Sequence, residues 1–277
     1  MPRPPHETTL ERVNHVAMRV LTALVLAYLV LPILVILPLS FTSGELLVYP
    51  LPAWSLRWYR EFATTALWTQ ATWNSIVLAV VTTLVATTAG TLAALGLQGL
   101  RSRFKPVLYG LLGLPLIIPP VMVAVALFYY YARLGLVGSF WGLVLAHTVL
   151  ALPFVVITIA ATLQGFDANL PRAAAGLGAS PLQAFRRVTL PIILPGVVSG
   201  AVFAFVTSFD ELLVILFVGS PEQRTLPRQL WSGVSETMTP TVAAAAVVLI
   251  TVSLVLMAVV EWLRRRGERL RTGATPS

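Results

Sequence analysis

Residues 141–163, WGLVLAHTVLALPFVVITIAATL, contain no charged side chain. A helix rising about 1.5 Å per residue needs roughly 20 apolar residues to cross the hydrocarbon core of a bilayer, and this stretch supplies them. Outward from it, five more runs meet the same requirement: 17–39, 75–97, 107–131, 193–218 and 241–263. The pattern predicts an all-α membrane protein with six transmembrane helices, lipid being its first partner. Composition agrees. Of the 277 residues, 57% are hydrophobic and 11% charged, whereas soluble domains carry about 25% charged residues. Mean hydropathy is +0.84. Pro32, Pro115, Pro119, Pro120 and Pro153 fall inside the spans, where neighbouring helices can satisfy the freed carbonyls. The pair Pro119-Pro120 predicts a kink or break in the third span.

A net charge of +8 and a pI near 10.6 would suggest nucleic acid in a soluble chain. In a membrane protein the excess collects in cytoplasmic loops, so no nucleic-acid partner is expected. Arg3, Arg12 and Arg19 precede or open the first span, and Arg101, Arg103 and Lys105 follow the second. Arg172, Arg186 and Arg187 follow the fourth, and Arg264, Arg265, Arg266, Arg269 and Arg271 lie in the tail. The opposite loops hold only Arg57, Arg60, Arg133, Arg224 and Arg228. This asymmetry places both termini in the cytoplasm. The organisation is then a cytoplasmic segment 1–16, a transmembrane domain 17–263 and a basic cytoplasmic tail 264–277. The first span is too long for a signal-peptide core and lacks its small-residue exit, so it reads as an uncleaved anchor. Trp54, Trp58, Tyr59 and Trp68 are expected at headgroup level in an outer, amphipathic segment 40–70.

The chain has no cysteine, hence no thiolate metal site, disulfide or Cys nucleophile. Its one lysine, Lys105, follows Arg-Phe rather than the Gly of a phosphate-binding loop. No cofactor and no metal site are expected, and ATP-driven work requires a partner.

The longest cytoplasmic loop, residues 164–192, reads QGFDANLPRAAAGLGASPLQAFRRVTLPI. Arg172-Ala173-Ala174-Ala175 favours helix, and Gly176 and Gly178 can end it. Ser180 then fits an N-cap, with Pro181 at the first helical position. Leu182, Phe185 and Val188 recur at helical spacing. Arg186 and Arg187 sit near the end where the helix dipole favours cations. Pro191 is expected to close the unit. Periodicity alone leaves two readings: an interfacial helix lying on lipid or a docking element.

This loop resembles the EAA signature of permease subunits of binding-protein-dependent ABC importers: Glu-Ala-Ala, three residues, Gly, nine residues, Ile-x-Leu-Pro. The match runs through Arg172-Ala173-Ala174, Gly178 and Val188-Thr189-Leu190-Pro191, with Arg172 in place of the family's Glu. The resemblance implies a type I importer permease fold and a coupling helix at about Ser180–Val188 seated in the ATP-binding subunit. Leu182 and Phe185 would be its anchors and Arg186 and Arg187 its rim contacts.

Asp210 and Glu211 lie in the fifth span, SFDELLVILFVGSP. Counted from Ile193 along one continuous helix, Asp210 falls about 25 Å in. Intramembrane acids normally face the bundle interior or a water-filled path. Thr207 shares the helical face of Asp210 at i−3, and Ser208 that of Glu211. One reading makes this pair the wall of a translocation path for an organic cation, with Phe205 and Phe209 adding aromatic faces; Tyr129, Tyr130 and Tyr131 could add more, but they sit where an interface belt is expected, and the belt is the safer reading for them. The other has the acids solvated near the outer interface or capping a neighbouring helix end.

The run 208–250, the segment PLSFTSG with WSLRWYREF, and WNSIVLA are similar to the spermidine/putrescine-type permeases, specifically the second of their two permease subunits. That likeness implies a multi-pass protein of the bacterial plasma membrane that moves a small molecule, a polyamine or another small solute. Its partners would be an ATP-binding subunit dimer, a second permease subunit and a periplasmic or extracellular solute-binding protein. An intramembrane enzyme is the rival class. It is disfavoured because only His6, His15 and His147 exist and none sits in a nucleophile or metal pattern; His147 reads as a hydrogen-bonded packing residue. A passive channel would have no use for the 172–191 loop.

Overall fold

The computed structural model describes residues 9–100, 102–167 and 169–272. Arg3, Arg101 and the last five residues of the predicted tail lie outside the described residues, as do the side chains of Arg12, Arg264, Arg265, Arg266, Arg269 and Arg271. Among the described residues there is no strand beyond an isolated bridge between Thr42 and Trp54. Among the described residues five helices are long and apolar enough to cross a membrane, and a sharply bent pair makes six if it counts as one span.

Two compact units divide the chain. The first comprises the chain up to Ala63 together with Gly233–Val248. Its α1 (Thr9–Leu39) buries no residue of the span Val13–Leu39. After α1 the chain turns through a knot of polar and aromatic contacts. The Ser40 hydroxyl donates to the Leu37 carbonyl and shares a second hydrogen bond with the Tyr59 hydroxyl, both at 2.7 Å. The Phe41 ring lies 5.0 Å from Tyr59. An amphipathic α2 (Arg57–Thr64) follows, as expected. The belt reading needs correction, however: Trp54 is exposed, but Trp58 and Trp68 are buried. In the same unit the hydroxyl of Thr241, in the first turn of the last helix, donates to Glu61 at 3.0 Å.

The second unit, Thr64–Ser232 with Leu249 onward, holds the main bundle. Its long helices are α3 (Ala66–Gly99), α6 (Phe140–Leu163) and α9 (Leu190–Phe209), which pack on one another. Between them come α4 (Lys105–Ile117) and α5 (Pro120–Leu134), then short α7 (Asn169–Gly176) and α8 (Pro181–Ala184). Beyond α9 lie α10 (Leu213–Val218) and α11 (Leu226–Ser232), and α12 (Pro240–Thr272) ends the described chain.

Small residues let the three long helices close up, as in membrane bundles generally. A Cβ on Gly90 of α3 would sit 2.6 Å from a methyl of Val155 on α6, and one on Gly200 of α9 would sit 3.2 Å from the Val155 Cα. Val155 is therefore keyed between two glycines. The core around it is aliphatic: Ala86, Ala151, Ile159, Ile193 and Ala204 are all fully buried. Threonines inside the spans hide their hydroxyls by donating one turn back, for example Thr83 to Ala79 at 2.6 Å and Thr148 to Val144 at 2.7 Å.

The predicted break at the proline pair is present. α4 and α5 meet at 103°. Ile118 and Pro119 take extended ψ values of 133° and 129°, because a residue before proline is driven out of the helical region and proline offers no N–H to continue the ladder.

Candidate functional site

The 164–192 loop folds as a helical unit. Asp167 accepts the Asn169 N–H at 2.8 Å at the start of α7. The α7 helix carries Arg172, Ala173 and Ala174. The Arg172 guanidinium donates to Asn169 Oδ1 at 3.3 Å and is otherwise outward. Gly178 adopts φ +87°, the left-handed conformation that lets the chain reverse after a helix at little cost only for glycine. Ser180 is the N-cap of α8 in a reciprocal box: its hydroxyl oxygen accepts the Gln183 N–H at 3.4 Å, and Gln183 Oε1 accepts the Ser180 N–H at 2.9 Å. Leu177 and Leu182 are exposed, at 90% and 57%. Phe185 is half-buried, and Arg186 and Arg187 are exposed.

One expectation fails here. Pro191 does not close the unit. Helix runs without interruption from Pro181 to Phe209, with Leu190 and Pro191 in the first turn of α9. The backbone accommodates Pro191 by widening: Phe185–Thr189 form a π turn, and the Leu190 N–H reaches back five residues to the Phe185 carbonyl. A proline ring clashes with the carbonyl four residues before it, here that of Arg187, and the extra residue in the turn relieves the crowding.

The carboxylate pair is likewise not on one helix. α9 stops at Phe209, with Asp210 as its C-cap, and α10 starts at Leu213. Glu211 Oε1 accepts the Val214 N–H at 3.0 Å, so this side chain caps α10. Asp210 is exposed and Glu211 half-buried. The helical-face relations drawn for Thr207 and Ser208 therefore lapse. Thr207 is half-buried, and Ser208 turns away into the core, sharing a 2.9 Å hydrogen bond with His147 Nδ1 of α6. The Phe205 and Phe209 rings stack at 5.5 Å. On the same helix Val197, Val198, Ala201, Val202 and Phe205, with Thr83 and Leu256, line an open apolar recess of about 330 Å³.

Sequence reasoning passed over the far end of α10. There Arg228 donates to the carbonyls of Ile215, Gly219 and Ser220, the last at 2.9 Å. Burial first, then the neighbouring Arg224 charge, lowers the Arg228 guanidinium from its ordinary value. It stays a cation all the same, suited to a helix C-terminus. Six residues are thus held between an acid and a base. The following loop is pinned to α3: Asn74 Nδ2 donates to the Glu222 and Arg224 carbonyls at 2.9 and 3.0 Å, and the Leu226 N–H donates to the Ser75 hydroxyl at 2.7 Å. Ser220 donates its hydroxyl to Glu222 at 2.7 Å, which holds that carboxyl below its usual range. The capping box was readable as Ser-Pro-Leu-Gln. The Arg228 contacts had no sequence signal, because they form across a loop.

Comparison with known proteins places this arrangement. The sequence profile of the family described as "Binding-protein-dependent transport system inner membrane component" matches residues 86–269. The spermidine/putrescine transport system permease protein PotC of Escherichia coli (strain K12) is 33% identical over 247 residues, 89% of this chain and 93% of that protein. The putrescine transport system permease protein PotI of the same strain is 30% identical over 254 residues, covering 88% and 89%. In fold, the chain resembles a subunit of a bacterial ABC transporter that imports the acidic polysaccharide alginate, with a TM-score of 0.74 at 17% identity over 93% of this chain and 99% of that one. The extent of the match, together with the apolar helices that carry it, shows that the chain belongs to the binding-protein-dependent transport system inner membrane component family, as a multi-pass permease subunit of the bacterial inner membrane that moves solute and leaves ATP hydrolysis to a separate subunit.

Proposed function

We propose that this permease subunit forms half of an ATP-driven importer of polyamines such as spermidine and putrescine. The observation that carries the reading is the α9–α10 break, where an exposed carboxylate, Asp210, follows a half-buried Phe205 that stacks on the buried Phe209. A polyamine is a chain of ammonium groups separated by methylenes. An acid, an aromatic face and an apolar recess are the surfaces that such a molecule needs. Membrane transport sites are commonly built at broken helices. The names of PotC and PotI support the same substrate class.

In this reading both termini lie in the cytoplasm, with segments 1–16 and 264–277 flanking the 17–263 transmembrane domain. A solute-binding protein delivers polyamine to the outer face of a core made by this chain and a second permease subunit. The 164–192 loop seats α8 and its π turn in a dimer of ATP-binding subunits. Leu177, Leu182 and Phe185 provide apolar contact, and Arg172, Arg186 and Arg187 the charged rim. The helix is continuous from Pro181 to Phe209. Closure of the ATPase dimer at one end is therefore delivered to the Asp210 break at the other without an intervening hinge.

The test is uptake into proteoliposomes holding the full complex, with radiolabelled spermidine or putrescine offered with and without internal ATP. ATP-dependent uptake that needs a higher polyamine concentration in Asp210→Asn supports the reading. ATPase stimulation by the loaded solute-binding protein without polyamine uptake would keep the permease role and overturn the substrate.

A further inference from the structure

The α9–α10 break has no helical ladder of its own to fix its shape, and neighbouring helices hold it. On the α9 side Ser208, two residues before Asp210, shares its 2.9 Å hydrogen bond with His147 Nδ1. On the α10 side Val214, Ile215 and Val218 pack in one buried cluster with Ala124 and Tyr131 of α5 and with Leu143, Val144 and Ala146 of α6. α5 therefore helps to hold the α10 lip, while residues 143–147 of α6 reach both lips, with His147 on the α9 side.

His147 is fully buried, and its Nε2 has no hydrogen-bond partner among the described residues. Burying an unmet polar atom is unfavourable. An aliphatic side chain of similar volume would fill the site without that cost, so packing alone does not account for an imidazole here. What the imidazole adds is the Nδ1 contact.

We propose that His147 is a positioning residue. Through Ser208 it sets where α9 ends, and hence where the Asp210 carboxylate stands. This rests on the reading of the break as part of the solute path. The claim is specific to one ring nitrogen. An asparagine amide places a hydrogen-bonding atom near the Nδ1 position, whereas a glutamine amide places one near Nε2.

The chain lacks cysteine, which permits a solute-independent test. Asp210→Cys is introduced as a reporter in the assembled importer, with partner cysteines replaced, and its rate of modification by a membrane-impermeant methanethiosulfonate is measured. His147→Leu, His147→Gln and Ser208→Ala are expected to change that rate by about fivefold or more, the change that roughly 1 kcal/mol produces. His147→Asn should keep it unchanged. In chains that retain Asp210, the half-saturating spermidine concentration should rise with Gln at 147 and hold with Asn, while basal ATPase activity of the complex stays level. A rate that is the same in every variant, or an Asn variant that behaves like Leu, overturns the proposal. Should His147→Leu fail to assemble, Ser208→Ala, which deletes one oxygen, decides the same point. If the labelling pattern appears but the unmodified importer takes up no polyamine, the positioning role stands and the substrate reading falls.

Discussion

The helix that runs from Pro181 to Phe209 meets two disturbances and answers them in opposite ways. At Pro191, the residue type least compatible with a helix interior, the backbone widens over Phe185–Thr189 and continues. At Phe209-Asp210-Glu211-Leu212, with no proline or glycine and with Leu and Glu among good helix formers, it stops. Local propensity sets a cost of a kilocalorie or so per residue, about 3 kcal/mol for proline, and tertiary partners decide whether it is met. Around Pro191 the widened turn relieves the crowding against the Arg187 carbonyl, so the helix can go on. Around Asp210 there is a competing arrangement: His147 holds one side, the packing of α10 on α5 and α6 holds the other, and Glu211 and Arg228 cap α10 at its two ends.

Substitutions can test this contrast, beginning with the one that should do most. Leu182→Asp places a charge on the exposed apolar face of the loop; loss of an anchor at an interface costs about 2 kcal/mol or more, so the ATP-binding subunit should bind about 30-fold more weakly and fail to co-purify. Retention of the ATPase would show that the loop is not the seat. Asp210→Asn acts at the other disturbance. It should raise the half-saturating polyamine concentration about tenfold, the equivalent of 1.4 kcal/mol, with ATPase association unchanged, as a paired uptake and pull-down measurement would show.

Pro191→Ala addresses the widened turn itself. With a donor restored at 191, residues 185–189 can rewind as α-helix and turn Leu182 by about 100° relative to α9. Receptor-stimulated ATPase activity should fall severalfold while binding of the ATPase persists; normal coupling would mean that the π turn is a tolerated irregularity. The smallest effects belong to the caps. Ser180→Ala removes the capping box and should destabilise the loop by about 1 kcal/mol, read as faster amide exchange at 181–184. Glu211→Gln, which keeps an acceptor oxygen for the Val214 N–H, should change exchange in α10 less than Glu211→Ala does.

Much of this was legible in the sequence, for identifiable reasons. Span length is a one-dimensional property, and the long apolar helices fall where the hydrophobic runs do. Ser180, Gly178 and the Pro119-Pro120 break were readable because their physics is local: a cap, a positive φ, a missing donor. The end of α9 was not. A continuous apolar run from 193 to 218 looks like one helix, and nothing in SFDEL announces that Ser208 bonds to a histidine 61 positions earlier. The same holds for Arg228, one loop charge among several in the sequence, which caps α10. Trp58 and Trp68 misled for a related reason, since an aromatic belt and a buried tryptophan have the same composition.

Val155, between Gly90 and Gly200, carries a consequence for how this sequence can drift. The three positions sit on three different helices but meet at one point. A Cβ at 200 would stand 3.2 Å from the Val155 Cα, and a Cβ at 90 would stand 2.8 Å from the Val155 Cβ, atoms that Val155→Ala leaves in place. Trimming Val155 therefore does not make room for a side chain at either glycine. Among relatives of this chain, positions 90 and 200 are expected to stay glycine even where 155 changes. That constraint would mark the three-helix contact from alignments alone, with no reference to solute or ATPase.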